Sequence, residues 1–405
     1  MKFNNICIID AKRSAIGRFM GTLAGADPAD ISAQVIRGGF DPALIAKVQE
    51  VILGNVYSTN LGQGIARKIA VNAGVPVEAP AYAVNMVCGS GMQAVINGCM
   101  ELCMGKDLVL AGGIEFMSNV PYAANSIRGG NKLGDLTLTD LLLKDGLTDT
   151  FSGLHMGITA ENIAKKYGIT REAQDAFSWE ATQKTIAAVD GEKFKDEIVP
   201  VVIKDRKGKE TVFDTDEHPN RTSTPEKIAS LRPSFIKDGT GTVTAASSSG
   251  INDGAAFLLL GTERFCRENG IEPLCTITAG ATAGCDPQFM GLGPYYAISA
   301  LLEETGADLK SIGCLEMNEA FAAQALGCVK LLSEKYGISE DEILKMTNLY
   351  GSGLGLGHPL GATGARIVVT LAHLLKNRSE RCGVASLCIG GGMGAAVMLE
   401  RPGNQ

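Results

Sequence analysis

The chain is poor in histidine, has no cluster of basic charge and has no long unbroken apolar run. Only 4 of its 405 residues are histidine. No two cysteines form a Cys-x-x-Cys pair. Cys99 and Cys103 stand one helical turn apart, but two thiols without further nearby ligands make a poor zinc site, because structural zinc takes four. The longest uncharged apolar run, "GVASLCIGGGMGAAVML", is short for a membrane span and broken by glycines. The opening "MKFNNICIIDAKRS" carries an apolar stretch too short for a signal peptide, closed by Asp10. The end, "RPGNQ", is not a Ser-Lys-Leu peroxisomal address. A soluble, cytoplasmic protein with no membrane partner is expected. No basic run suits nucleic acid, and the net charge of −7 reads as solvated surface. No Gly-x-Gly-x-x-Gly follows a strand, and there is neither a Walker lysine loop nor a Gly-x-Ser-x-Gly elbow. Dinucleotide redox, nucleotide hydrolysis and serine hydrolysis all lose ground.

What is present is apolar residues at 45%, charged residues at 20%, and glycine at 50 positions. That is a globular composition with glycine well above the usual ~7%. The glycines sit in clusters without a short period, which suits tight turns and close backbone approach. Eleven cysteines in a chain without a secretory leader argue against a disulfide scaffold.

"ICIID", "VQEVILGNVY", "PAYAVNMV" and "DLVLAGGIE" read as buried strands. "GSGMQAVINGCMELCMG" has a helical stripe of Met92, Val95, Ile96, Cys99, Leu102 and Cys103. Strands alternating with helices predict an α/β layered fold. From about 120 to 245 the chain is more polar and reads as an insertion, including the charged "KDRKGKETVFDTDEHPNRTSTPEK". Alternation resumes at "GTVTAASSSGINDGAAFLLL". The outer parts look like distant copies: "LIAKVQEVILGNV" parallels "DLKSIGCLEMNEA", and "VNMVCGSGMQAVINGC" parallels "LGHPLGATGARIVVTLAHLL". The expected division is 1–120 with 246–270 as a first half, 121–245 as the insertion, and 271–405 as a second half.

Four glycine-associated stretches could carry chemistry, each with a plainer alternative. In "VCGSGM" a strand delivers Cys88 to a helix start, where partial positive charge favours thiolate and the small residues leave room for a substrate. The alternative is a buried core thiol. In "LGLGHPLGATGAR", His358 sits in a loop and could serve as the base for a cysteine nucleophile, or simply face water. His373 in "VTLAHLL" reads as structural. In "LCIGGGMG", Cys388 ends a strand, and the following glycines, Gly390 among them, could turn N–H groups toward one oxyanion or merely make a tight turn. In "EMNEAFA", Asn318 could present its amide to a water or carbonyl, or cap a helix.

Taken in order, "VCGSGM", "GLHMGITAEN", "SSSGINDGAA", "MNEAFA", "GHPLGATGAR" and "CIGGGMG" resemble the thiolase family over essentially the whole chain, and within it the acetyl-CoA C-acetyltransferases. The resemblance implies a duplicated five-layer αβαβα core with an inserted loop domain. It implies that Cys88 takes the acyl group, that His358 activates it, and that Cys388 moves the proton at the acetyl methyl. Asn318 with His358 would stabilise the enolate through a water. The N–H groups of Cys88 and Gly390 would hold the tetrahedral oxyanion. Leu147, His155, Met156, Phe235, Ser249 and Phe321 would contact coenzyme A, with Arg221 near its nucleotide end; a structural role for His155 stays open. Acetyl-CoA, acetoacetyl-CoA and CoA would be substrates and products, with no cofactor or metal and a homotetramer built as a dimer of dimers. Three other readings compete. A decarboxylating ketosynthase is disfavoured by the second cysteine, and a non-catalytic acyl-CoA binder by the presence of all three reactive groups. A degradative 3-ketoacyl-CoA thiolase acting on longer chains is suggested by "MGLGPYYAIS", whereas "GLHMG" favours short ones.

Overall fold

The computed structural model describes residues 1–204, 207–378 and 380–401. Residues 205–206, in the charged stretch, and 402–405, at the end of the expected second half, lie outside it.

Nine strands make the frame: β1 (Lys2–Arg13), β2 (Glu50–Gly54), β3 (Ala81–Val84), β4 (Leu108–Phe116), β5 (Asn252–Thr262), β6 (Cys275–Gly284), β7 (Cys314–Met317), β8 (Cys382–Ile389) and β9 (Met393–Glu400). They run in the order β7-β8-β9-β6-β1-β5-β4-β2-β3, with the two-residue strand Gly17–Arg18 paired to β5. The path is two half-sheets. They join where β1 meets β6 antiparallel, Ile6 opposite Ile277. Each half has a parallel part: β2 with β3 and β4, and β7 with β8.

Side-chain alternation sorts each strand between two layers. In β4, Leu108 and Leu110 face an outer core shared with helices α1 (Pro28–Gly39) and α2 (Ile65–Asn72). Val109 and Ala111 face inward. In β8, Ala385, Leu387 and Ile389 face inward, whereas Val384 and Cys388 face a second outer core. Between the half-sheets lie α3 (Ser90–Cys103) and α8 (Leu360–Arg378), which fill the middle core. Helices α6 (Gly293–Thr305) and α7 (Ala322–Tyr336) cover the far side. The segment between β4 and β5 holds α4 (Gly157–Tyr167) and α5 (Arg171–Asp190), plus two short antiparallel strand pairs.

Helix α8 is buried from Leu360 to Leu375, so its polar residues need internal partners. His373 has one, with Nε2 2.8 Å from the Ala11 carbonyl, in line with its structural reading. The stripe expected on α3 is buried through Leu102, but Cys103 is exposed, on the face it shares with the exposed Met100. Among the described residues no helix is long and apolar enough to cross a membrane.

Candidate active site

Cys88 does not end a strand as expected. β3 stops at Val84, and a turn intervenes. The Val87 N–H donates to Asn85 Oδ1 at 3.0 Å and the Gly89 N–H to the Met86 carbonyl at 3.0 Å. The Ser90 hydroxyl donates to the Val87 carbonyl at 2.6 Å and accepts from the Met86 N–H at 2.9 Å. Val87 is forced to φ 46°, a left-handed conformation that a β-branched residue rarely adopts. The glycines that follow make room for protein, not substrate. A Cβ on Gly89 would overlap Ile389, and one on Gly91 would lie 2.7 Å from the Gly361 carbonyl and 2.8 Å from the Ala365 nitrogen. They let α3 cross α8 at close range.

Two opposed forces act on the thiol. The N–H groups of Gly390 and of Cys88 itself point at it and favour thiolate. Burial outweighs them, and the charge of Glu115 adds to it, so the thiol is pushed up to about 11. The helix-start argument named a real force but not the larger one.

His358 is not a loop side chain facing water. It is buried, two residues before α8. Its backbone N–H donates to Asn252 Oδ1 at 3.0 Å. Its Nδ1 lies 2.6 Å from the Thr363 hydroxyl, which donates its single proton to the Pro359 carbonyl at 2.9 Å. Thr363 therefore accepts from Nδ1–H, and Nε2 carries the lone pair. Among the described residues Nε2 has no protein partner. Burial first, then the positive charge of Arg366, pushes the imidazole down to about 3, so the ring is neutral.

Cys388 is buried on β8, and burial holds its thiol well above the ordinary value. Gly391 and Gly392, at φ 85° and 86°, turn the chain into β9. The glycine run is thus both a tight turn and a donor, because that turn presents the Gly390 N–H to Cys88. Asn318 follows β7 and is fully buried, its N–H held by the Ser386 carbonyl at 2.9 Å. It caps no helix; Phe321 holds the cap position of α7. Neither amide atom of its side chain has a partner among the described residues.

Cys88, His358, Cys388 and Gly390 line one cavity of about 280 Å³. Leu147, His155, Met156, Phe235, Ser249 and Phe321 form its walls, joined by Met117 and Met290. His155 stacks on Phe235 with centroids 4.7 Å apart, and Phe235 meets Phe321 edge-on at 6.1 Å. The His155 Nδ1 accepts from the Gly157 N–H at 3.1 Å. Asn318 does not line it. Arg221 is not in this cavity. It lies in an adjoining cleft that shares Ser248, Ser249 and Gly250, and it is paired with Asp190 at 2.7 Å on the surface.

The thiolase N-terminal domain family matches residues 6–264 and the thiolase C-terminal domain family residues 271–401. The chain belongs to the thiolase family. It is 44% identical over 400 residues to the acetyl-CoA acetyltransferase of Chromobacterium violaceum, covering 98% of this chain and 100% of that one. Its fold matches the Bacillus anthracis acetyl-CoA acetyltransferase with TM-score 0.92 at 40% identity, over 99% and 100% of the two chains. It matches the Acat5 thiolase of Ascaris suum, solved in complex with coenzyme A, with TM-score 0.90 at 36% identity, over 98% and 100%.

In this thiolase-family chain, three residues near the site escaped the sequence reading. Thr363, four residues past Pro359, could have been found had α8 been started at the proline. Glu115, the one charge ending an apolar strand, accepts from Asn55 Nδ2 at 2.8 Å and from the N–H groups of Val56, Tyr57 and Gly361 at 3.0, 3.1 and 2.8 Å. It ties the first half to the start of α8, and burial pushes it up to about 7. Asn252 offered no local signal, since its partners are far away in sequence.

Proposed function

We propose that the protein is an acetyl-CoA C-acetyltransferase, joining two acetyl-CoA to acetoacetyl-CoA plus CoA, reversibly, through acetyl-Cys88. The Cys88 proton passes to His358 Nε2 as sulfur attacks the thioester carbonyl. The departing CoA sulfur takes the Cys388 proton, and the acetyl group stays on Cys88. Cys388, now a thiolate, removes a methyl proton from the second acetyl-CoA, and the enolate carbon attacks acetyl-Cys88 and expels its sulfur, which takes back the proton held on His358. The N–H groups of Cys88 and Gly390 bind the oxyanion at the acyl carbon. The unpartnered Asn318 amide, with His358, serves the enolate oxygen through a water. Leu147, His155, Met156, Phe235, Ser249 and Phe321 hold the pantetheine arm, and Arg221 faces the nucleotide end after leaving Asp190. CoA thioesters are substrates, and the scheme needs no cofactor.

The observation that carries this reading is the convergence of two thiols, a neutral imidazole with a free lone pair and an inward N–H on one apolar cavity. Two near-neutral groups that exchange a proton only as charge develops suit covalent acyl transfer. The same reading takes a cytoplasmic homotetramer as the working form. Solvent-facing Leu133, Leu138 and Phe151 in the insertion support association. Acetyl-CoA, quenched with acid during turnover, should add about 42 Da to the peptide holding Cys88, the mass of an acetyl group on a nucleophilic thiol. Turnover with Cys88 left unmodified would reject the scheme.

A further inference from the structure

A second histidine stands behind the catalytic one. His218 belongs to the insertion, in "DTDEHPN", and is half-buried beside the cleft that holds Arg221. Its Nδ1 lies 3.2 Å from Asn252 Nδ2. Asn252 is fully buried, and both ends of its amide are used. Oδ1 accepts from the His358 N–H at 3.0 Å, and Nδ2 donates to the Gly17 carbonyl at 2.9 Å. The His358 N–H can only donate, so the amide orientation is decided and Nδ2 must also face His218. His218 Nδ1 is then an acceptor and its proton sits on Nε2. The ring also hydrogen-bonds the backbone of Leu354, whose N–H is already given to Glu319 at 3.4 Å, leaving the carbonyl to accept. Burial lowers the imidazole below its ordinary range, which keeps the ring neutral and Nδ1 able to accept.

His218 thus grips the catalytic loop at both ends: Leu354 directly, and the His358 main chain through Asn252. The contact is tightly built. A Cβ on Gly250 would overlap the His218 ring, and one on Gly357, at φ 95°, would overlap the Asn252 amide.

We propose that His218 is a positioning residue for the reaction, holding His358 at its working height through Asn252 and Leu354. The proposal rests on the assignment of His358 as the base. A displaced imidazole meets the Cys88 proton at the wrong distance, so the loss falls on proton transfer and not on substrate affinity. Asparagine at 218 keeps an acceptor near the Nδ1 position, whereas alanine and glutamine do not keep it there.

The test compares His218→Ala, His218→Asn and His218→Gln in the full-length protein. Two readouts are needed: kcat and KM for acetoacetyl-CoA cleavage, and the rate at which iodoacetamide alkylates Cys88, followed on its peptide by mass spectrometry. His218→Ala loses the hydrogen bonds to Asn252 and Leu354 and should lower kcat about tenfold and slow alkylation similarly, with KM within about twofold, an effect the size of a neutral hydrogen bond. His218→Asn should recover to within about threefold, and His218→Gln should not. Unchanged kcat and alkylation in His218→Ala would overturn the proposal, and so would a rise in KM alone. If the alanine variant does not accumulate folded, equal kcat in the asparagine and glutamine variants overturns it just as well. A wild-type protein with no turnover, yet with alkylation sensitive to position 218, would fail the proposed function and spare the positioning.

Discussion

The two central helices, α3 and α8, are the same device used twice with opposite contents. Each lies between the half-sheets, and each is preceded by a candidate catalytic residue two positions before its first helical residue: Cys88 before Ser90, His358 before Leu360. A helix start favours negative charge, so it helps a thiolate and opposes an imidazolium. Burial acts on both and favours the neutral form of each, about 11 for the thiol and about 3 for the imidazole. The duplicated frame therefore sets a proton donor and a proton acceptor at equivalent stations and leaves both uncharged. Burial thus works against a stable thiolate–imidazolium pair at rest. In the proposed scheme the proton moves as the substrate carbonyl begins to take the charge.

Removing either occupant breaks the comparison most severely. Cys88→Ala should cost on the order of 10⁴ or more in kcat, as loss of a nucleophile does. His358→Ala should cost about 10²–10⁴, the range of one general base. The two should part on stability. Cys88 half-opens onto the cavity, whereas the His358 ring is buried and hydrogen-bonded through Nδ1 to Thr363, so only His358→Ala should also lower the thermal midpoint clearly. Equal midpoints would mean that the histidine's packing is not structural.

A smaller effect probes the orientation of the ring. Thr363→Val keeps the shape and removes the acceptor for Nδ1–H, freeing the tautomer. About a tenfold fall in kcat is expected, with Thr363→Ser near wild type. Steady-state kinetics on the three proteins decides it, and a fully active valine variant would remove Thr363 from the site.

Smaller again is the packing between the helices. Gly91→Ala puts a methyl against the Gly361 carbonyl and should cost about 1–3 kcal/mol of stability, read from denaturant midpoints. A neutral result would show that α3 and α8 can separate without strain.

The last effect is on pH. With His358 held down to about 3, its base form persists across pH 5–8, so kcat/KM should show no acid limb near 6.5. The sign for stability follows. The unfolded histidine binds a proton below about 6.5 and the folded one only near 3, so this group's contribution is present above 6.5 and is lost as pH falls toward 3. Glu115, raised to about 7, works the other way and favours the fold below about 4.5, losing that contribution as pH rises through 7. Comparing midpoints of His358→Asn and wild type between pH 4 and 7 separates the two, because only wild type should carry the histidine slope.

Local pattern was enough for much of this molecule. The strand and helix periods of "DLVLAGGIE" and "GSGMQAVINGC", the resemblance between the two outer parts and the polar break after 120 are all short-range properties. So is the placing of Cys88, His358 and Cys388 beside glycine-rich turns, which singled them out one by one. Their chemical state was not legible. Desolvation depends on which distant segments surround a group, and the helix start visible beside Cys88 was the weaker of two opposed effects. The partners of His358 show the same limit: Asn252 lies 106 residues away, and Glu115 reaches Gly361 across 246. The resemblance put Arg221 near the nucleotide end, and only the fold shows it on the surface paired with Asp190, 31 residues earlier. Spacing along the chain determined which groups were available. Which of them share a cavity, which way each ring and amide points, and who holds the proton were decided only by tertiary packing, because burial and hydrogen-bond partners are set by the fold and not by neighbours in sequence.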